Sequence, residues 1–129
     1  MPAAADIRAL VVDDQQTMRS LVRNGLKDIG VNSIEDAADG EDGLRMLLSY
    51  RCNLVISDFN MPKLDGLAFL RAVRATPQLK STAFIMLTGR ADTELLKRAQ
   101  QFGVNNYLVK PFTVATLRSK IEEVFGVLT

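Results

Sequence analysis

Apolar residues fall in two alternating rhythms along the chain. Uninterrupted runs at 8–12 (RALVV), 54–57 (LVIS), 83–87 (AFIML) and 106–109 (NYLV) have the composition of strands buried on both faces of a sheet. The segment at 32–38 (NSIEDAA) is a weaker strand, because Glu35 and Asp36 interrupt it, and suits a sheet edge. Between these runs the spacing becomes helical. Met18, Leu21, Val22, Leu26 and Ile29 predict a helix over 15–29 that Gly30 ends, with Arg19, Arg23 and Lys27 on its remaining surface. Leu44, Leu47 and Leu48 predict a second helix to about residue 51, and Leu67, Phe69, Leu70 and Val73 a third that stops before Pro77. Leu95, Leu96, Ala99 and Phe102 predict a fourth over 92–102, closed by Gly103, and Leu117, Ile121, Val124 and Phe125 a fifth. Strand followed by helix, repeated about five times, implies a parallel sheet with helices on both faces and right-handed crossovers.

Local signals place several helix starts. Asp39, Asp65 and Thr113 stand where an N-cap side chain accepts a backbone N–H, and Asp14 can do the same for the first helix. A length of 129 residues predicts one domain with a proper core. A net charge of +1 argues against a dedicated polyanion or membrane-surface binder. The chain has no histidine and a single cysteine, Cys52, which excludes Ser-His-Asp triads, the common zinc sites and an internal disulfide. No glycine loop for ATP or a dinucleotide occurs, so any phosphate chemistry starts from a donor supplied by another molecule. The start of the chain lacks the basic and long apolar regions of a signal peptide and the apolar runs are strand-sized, from which a cytoplasmic location is expected.

The candidate chemistry lies at the strand ends. Asp13 and Asp14 end the first strand, Asp58 the third, Thr88 the fourth and Lys110 the fifth. In a flavodoxin-like order of 2-1-3-4-5 the first and third strands are neighbours at the topological switch point, which brings three carboxylates into one crevice. At an effective dielectric near 20 and a separation of about 5 Å, each like-charged pair costs about 3 kcal/mol, so the cluster calls for a cation or a raised pKa. All-oxygen ligands without histidine or thiolate favour Mg²⁺, and a backbone carbonyl in the loop after Asp58 can add a neutral ligand. An acid beside such a metal can attack a phosphoryl group as a nucleophile, with the Lys110 ammonium and the Thr88 hydroxyl on the phosphoryl oxygens.

The combination VVDD, SDFNMPKLDG, Thr-Gly after an apolar strand, and KPF resembles the receiver domain of two-component response regulators over essentially the whole chain. The resemblance implies Asp58 as phospho-acceptor, Asp13 and Asp14 in the Mg²⁺ site, and the Asn60 main-chain carbonyl as a further ligand. It also implies Thr88 and Lys110 as switch and phosphate-contacting residues, a cis Lys110–Pro111 bond, and Tyr107 as the aromatic that turns inward on activation. DDQQTMRSLVRN, ISDFNMPKLDG and VKPFTVATL are more specifically similar to the single-domain chemotaxis members of that family. Those members imply a CheA-like histidine kinase as donor and a FliM-like flagellar motor switch protein as target, with a phosphatase as a further partner. They also imply a monomer without an output domain, which engages its target through a face including Lys97, Arg98, Tyr107, Val109 and the last helix. The chain departs from enteric members at Asp92 and Thr93, where basic residues are common, and at Arg90, where an acid is. The first departure bears on the motor contact and the second on dephosphorylation. A phosphate sink or relay without motor binding is the same-fold alternative. A Mg²⁺-dependent aspartyl-phosphate hydrolase is the alternative of another class, although Asn60 stands where its second acid belongs.

Overall fold

A computed structural model describes residues 3–61, 63–89 and 93–129. Its strands are β1 (Arg8–Val12), β2 (Ser33–Ala37), β3 (Leu54–Asp58), β4 (Ala83–Thr88) and β5 (Asn106–Val109). The helices that follow them are α1 (Gln16–Ile29), α2 (Gly40–Tyr50), α3 (Gly66–Ala75), α4 (Thr93–Gln101) and α5 (Val114–Phe125). All strand pairs are parallel and the sheet order is β2-β1-β3-β4-β5, the doubly wound arrangement expected from the alternation of strand and helix. The predicted start of the fourth helix at Asp92, and Arg90 before it, lie outside the described residues.

Strand alternation explains why the apolar runs are continuous. Ala9 and Val11 of β1, Leu54 and Ile56 of β3, and Ile85 and Leu87 of β4 face the layer of α1 and α5, where Val22, Leu26, Leu117 and Ile121 are buried. Leu10, Val12, Val55, Phe84 and Met86 face the opposite layer, with Leu47 of α2, Phe69, Leu70 and Val73 of α3 and Ala99 of α4. A residue on either side of the pleat therefore meets a helix, and within the central strands the one buried polar side chain before the last residue is Ser57, whose hydroxyl donates to the Asp58 carbonyl.

Asp39, Asp65 and Thr113 cap α2, α3 and α5 by accepting the N–H of Asp42, Ala68 and Thr116. Gly30 closes α1 in the left-handed conformation at φ 109°. The cap of α1 differs from expectation. Gln15 occupies that position without a side-chain bond, and the carboxylate that accepts its N–H is Asp13, at 2.9 Å, so Asp14 does not cap the helix. Leu21 and Leu48, expected on inward faces, are 53% exposed. Each sits one residue, about 100° around the helix, from the buried Val22 or Leu47, on the flank where the stripe runs past its cover. Among the described residues no helix is long and apolar enough to cross a membrane.

Candidate functional site

The site lies at the carboxyl edge of the sheet, because β1, β3 and β4 stop in polar residues at the same level. Asp13 is the first residue beyond β1; Asp58 and Thr88 are the last of β3 and β4. The register pairs Val12 with Ser57, Asp58 with Leu87 and Thr88 with Val109, which fixes the ends of all four strands relative to one another. Ladder bonds continue past the strand ends: Phe59 N–H donates to Leu87 O at 3.1 Å and Lys110 N–H to Thr88 O at 2.7 Å. Lys110 is thus delivered to the crevice by the strand beside Thr88, and the Lys110–Pro111 bond is cis.

One carboxylate oxygen of each of Asp13, Asp14 and Asp58 lies within 4.8 Å of the others. Asp13 is fully buried, Asp58 is 7% exposed and Asp14 is exposed toward the mouth of the crevice. The Lys110 ammonium reaches over this group, 2.9 Å from Asp58 Oδ1 and 3.5 Å from Asp13 Oδ2. At the longer distance it is an ion-pair partner rather than a hydrogen-bond donor, and Asp13 Oδ2 is buried without a hydrogen bond. Burial pushes the Asp13 carboxyl above the ordinary value of 3.8, and the Asp58 charge pushes it the same way. The Gln15 N–H and the Lys110 charge act against both.

The charges of this arrangement favour a cation. Three clustered carboxylates offer more negative charge than one ammonium balances, and a buried oxygen without a donor marks an acceptor aimed at a positive ligand. The oxygen-only donor set, with neither imidazole nor thiolate nearby, fits Mg²⁺.

The loop leaving Asp58 is tightly held. Gly66 N–H donates to Phe59 O at 2.8 Å, bringing the start of α3 so close that a Cβ on Gly66 would collide with the Asp58 carbonyl. Gly40, at the start of α2, lies against Leu64, where a Cβ would stand 2.8 Å from the carbonyl oxygen. Lys63 takes a left-handed conformation at φ 65° and its ammonium stands 3.6 Å from Asp39. Asn60 is exposed in this loop, two residues beyond Asp58.

Of the other residues singled out in the sequence, Tyr107 and Val109 are half-buried on the edge strand β5, and Lys97 and Arg98 are exposed on α4. The Lys120 ammonium of α5 stands 4.7 Å from the centre of the Tyr107 ring. The sequence reading missed Arg19, which it left among the solvated charges of the first helix. Its Nη1 donates to the Asp13 main-chain oxygen at 2.7 Å. The available signal was an arginine in the opening turns of the helix that leaves an acidic strand end.

The profile of the response regulator receiver domain matches residues 9–122. A probable chemotaxis protein CheY of Rhizobium etli is 48% identical over 128 residues, covering 99% of both chains. Chemotaxis protein CheY-3 of Vibrio cholerae is 42% identical over 120 residues, covering 93% of this chain and 92% of its own. Among solved structures, CheY4 of Vibrio cholerae superimposes with a TM-score of 0.86 at 36% identity, covering 92% of this chain and 98% of that one.

Proposed function

This chain belongs to the response regulator receiver domain family, a family of signalling switches whose members bind Mg²⁺, and from that premise we propose that it accepts a phosphoryl group on Asp58. The observation that carries the reading is the Lys110 ammonium 2.9 Å from Asp58 Oδ1 inside a cluster of three carboxylates. A lysine so placed holds the acceptor oxygen in a fixed direction and stands where charge grows on a transferred phosphoryl group.

The donor is the phosphohistidine of a CheA-like kinase. An Asp58 carboxylate oxygen attacks phosphorus, the P–N bond breaks, and the imidazole leaves with the electron pair and takes up a proton. The product is an acyl phosphate on Asp58. Asp13, Asp14, Asp58 and the Asn60 carbonyl would hold the Mg²⁺, which supplies positive charge to offset the carboxylates and the phosphoryl oxygens. Lys110 transfers its hydrogen bond from the carboxylate to a phosphoryl oxygen, and the Thr88 hydroxyl turns toward another. Movement of Thr88 leaves space into which Tyr107 turns. The modified side chain carries about −2 charge, which changes what the end of the sheet attracts. Water attack on the acyl phosphate, in the same crevice, resets the switch.

The response is read through α4, β5 and α5, with Lys97, Arg98, Tyr107 and Val109 as contact residues and a FliM-like flagellar motor switch protein as target. The relatives named as chemotaxis proteins support this partner kind.

Intact mass after incubation with acetyl phosphate and Mg²⁺ tests the acceptor. One added phosphoryl group is expected in the wild type and none in Asp58→Asn or without metal; labelling of Asp58→Asn to the wild-type level overturns the assignment. Beryllofluoride-dependent capture of a motor-switch peptide is then expected. Its absence from a protein that does label identifies a phosphate sink instead.

A further inference from the structure

Asp13 is held from three directions, two of them on its main chain. Its N–H donates to Ala37 O of the neighbouring strand at 3.1 Å, and its own Oδ1 accepts from Gln15 N–H at 2.9 Å. Arg19 Nη1 donates to its carbonyl oxygen at 2.7 Å. The first two follow from the fold of any chain with an acid here, whereas the third comes from a side chain and depends on what that residue is.

Arg19 is itself anchored. Its Nε lies 3.5 Å from Asp36 Oδ2, near the end of β2, and Arg23 Nη1 lies 3.7 Å from the same oxygen. The Arg19 side chain is only 17% exposed, in a cleft between the start of α1 and the β2–α2 connection that also holds Ala37, Ala38, Asp42, Arg45 and Met46. A planar guanidinium carries its nitrogens in a fixed fork, so the ion pair of Nε with Asp36 favours one orientation of the Nη1 that donates to the Asp13 carbonyl. A lysine keeps the charge but lacks the planar fork that directs separate nitrogens to the two oxygens.

We propose that Arg19 is a positioning residue for the Mg²⁺ site: braced on Asp36, it fixes the Asp13 peptide and so the directions in which the Asp13 and Asp14 carboxylates leave the end of β1. With Oδ1 engaged by Gln15, the consequence falls on Asp13 Oδ2, the buried oxygen without a hydrogen bond, and on Asp14, whose N–H belongs to the gripped peptide. Loss of the brace lets that peptide rotate, and an ion that demands near-ideal octahedral geometry is penalised by such freedom. Arg19 touches neither metal nor phosphoryl group.

This inference rests on Asp13 and Asp14 holding Mg²⁺, and the experiment separates the two claims. Mg²⁺ affinity is measured by isothermal titration, with free Mn²⁺ counted by electron paramagnetic resonance, on wild type, Arg19→Ala, Arg19→Lys and Arg23→Ala. Thermal midpoints are recorded without metal. Arg19→Ala and Arg19→Lys are both expected to bind about 10-fold more weakly. Arg23→Ala, which shares Asp36 but has no hydrogen bond to Asp13, is expected to stay within about twofold at a comparable change in thermal midpoint. Asp36→Asn, which leaves Arg19 present but unbraced, is expected to show a smaller loss in the same direction, and it serves if Arg19→Ala does not fold. Wild-type affinity in the Arg19 variants, or an equal loss in Arg23→Ala, overturns the inference. A wild type that binds no Mg²⁺ overturns the metal site itself.

Discussion

The two ends of the sheet handle polar groups in opposite ways. At the amino-terminal end, Arg74 reaches from α3 and places all five of its N–H donors. Nε and Nη2 meet Gly103 O, Nη1 meets Lys80 O and Thr82 O, and Nη2 also meets Asn105 Oδ1, all between 2.7 and 3.2 Å. Asn105 in turn accepts from Phe84 N–H, and Asn53 accepts from Arg8 N–H while donating to Asp6 O. At the carboxyl end, like charges are brought together and Asp13 Oδ2 is buried with no hydrogen bond, the one such side-chain atom among the described residues. One end is closed and contributes stability. The other gathers negative charge around a buried oxygen that has no hydrogen bond, an arrangement that could hold a metal ion.

The largest effect separating the two ends is expected from Arg74→Ala. It removes five hydrogen bonds to four acceptors near β4 and β5, one of which, Asn105 Oδ1, keeps the Phe84 N–H, and should cost about 3 kcal/mol in urea unfolding. Mg²⁺ affinity should be unchanged, since nothing in the clamp touches the crevice; a matching loss of metal binding would show that the ends are coupled.

Next is Gly66→Ala, where the added methyl group meets the Asp58 carbonyl and the Met86 sulfur. A loss of about 2 kcal/mol is expected, together with slower acetyl phosphate labelling, because the backbone carrying the acceptor must shift. Labelling at the wild-type rate would show that α3 yields instead of β3.

The smallest effect, and the only gain, is expected from Asp13→Asn. The Asp13 carboxyl is harder to ionise in the fold than in the unfolded chain, so folding takes up protons between the ordinary value of 3.8 and the raised native one. Stability of the metal-free protein therefore falls as pH rises through that window and stays lower above it. Asparagine escapes this penalty, so the variant should be more stable than wild type at neutral pH without metal, with the difference fading below the window. Saturating Mg²⁺ should reverse the order. Urea midpoints at two pH values, with and without Mg²⁺, check both signs.

Read from the chain alone, the alternation of strand-like and helical rhythm was enough for a parallel sheet covered on both faces, whereas the order 2-1-3-4-5 came from taking the fold as flavodoxin-like. Runs such as AFIML and LVIS carry apolar residues on both sides of the pleat, and only a sheet covered on both faces can bury them. Asp39, Asp65 and Thr113 were legible as caps because capping is a bond across three residues, well within the reach of local sequence. The polar residues ending successive strands were legible as one cluster for a related reason: parallel strands in register bring their carboxyl ends to one edge.

What the tertiary structure alone decided depends on contacts between segments distant in sequence. Asp13 and Asp14 are equivalent as neighbouring letters, yet the turn after β1 buries one and exposes the other. Leu21 and Leu48 have the same apolar character as Val22 and Leu47, and only the limit of the covering layer separates exposed from buried. The ring contact of Lys120 with Tyr107, the Arg74 clamp and the grip of Arg19 on Asp13 arise from long side chains crossing between elements. Periodicity fixes which way a residue faces along its own helix or strand, but the distance to a partner on another element is set by how the layers pack, and that distance determines which charges become part of the site.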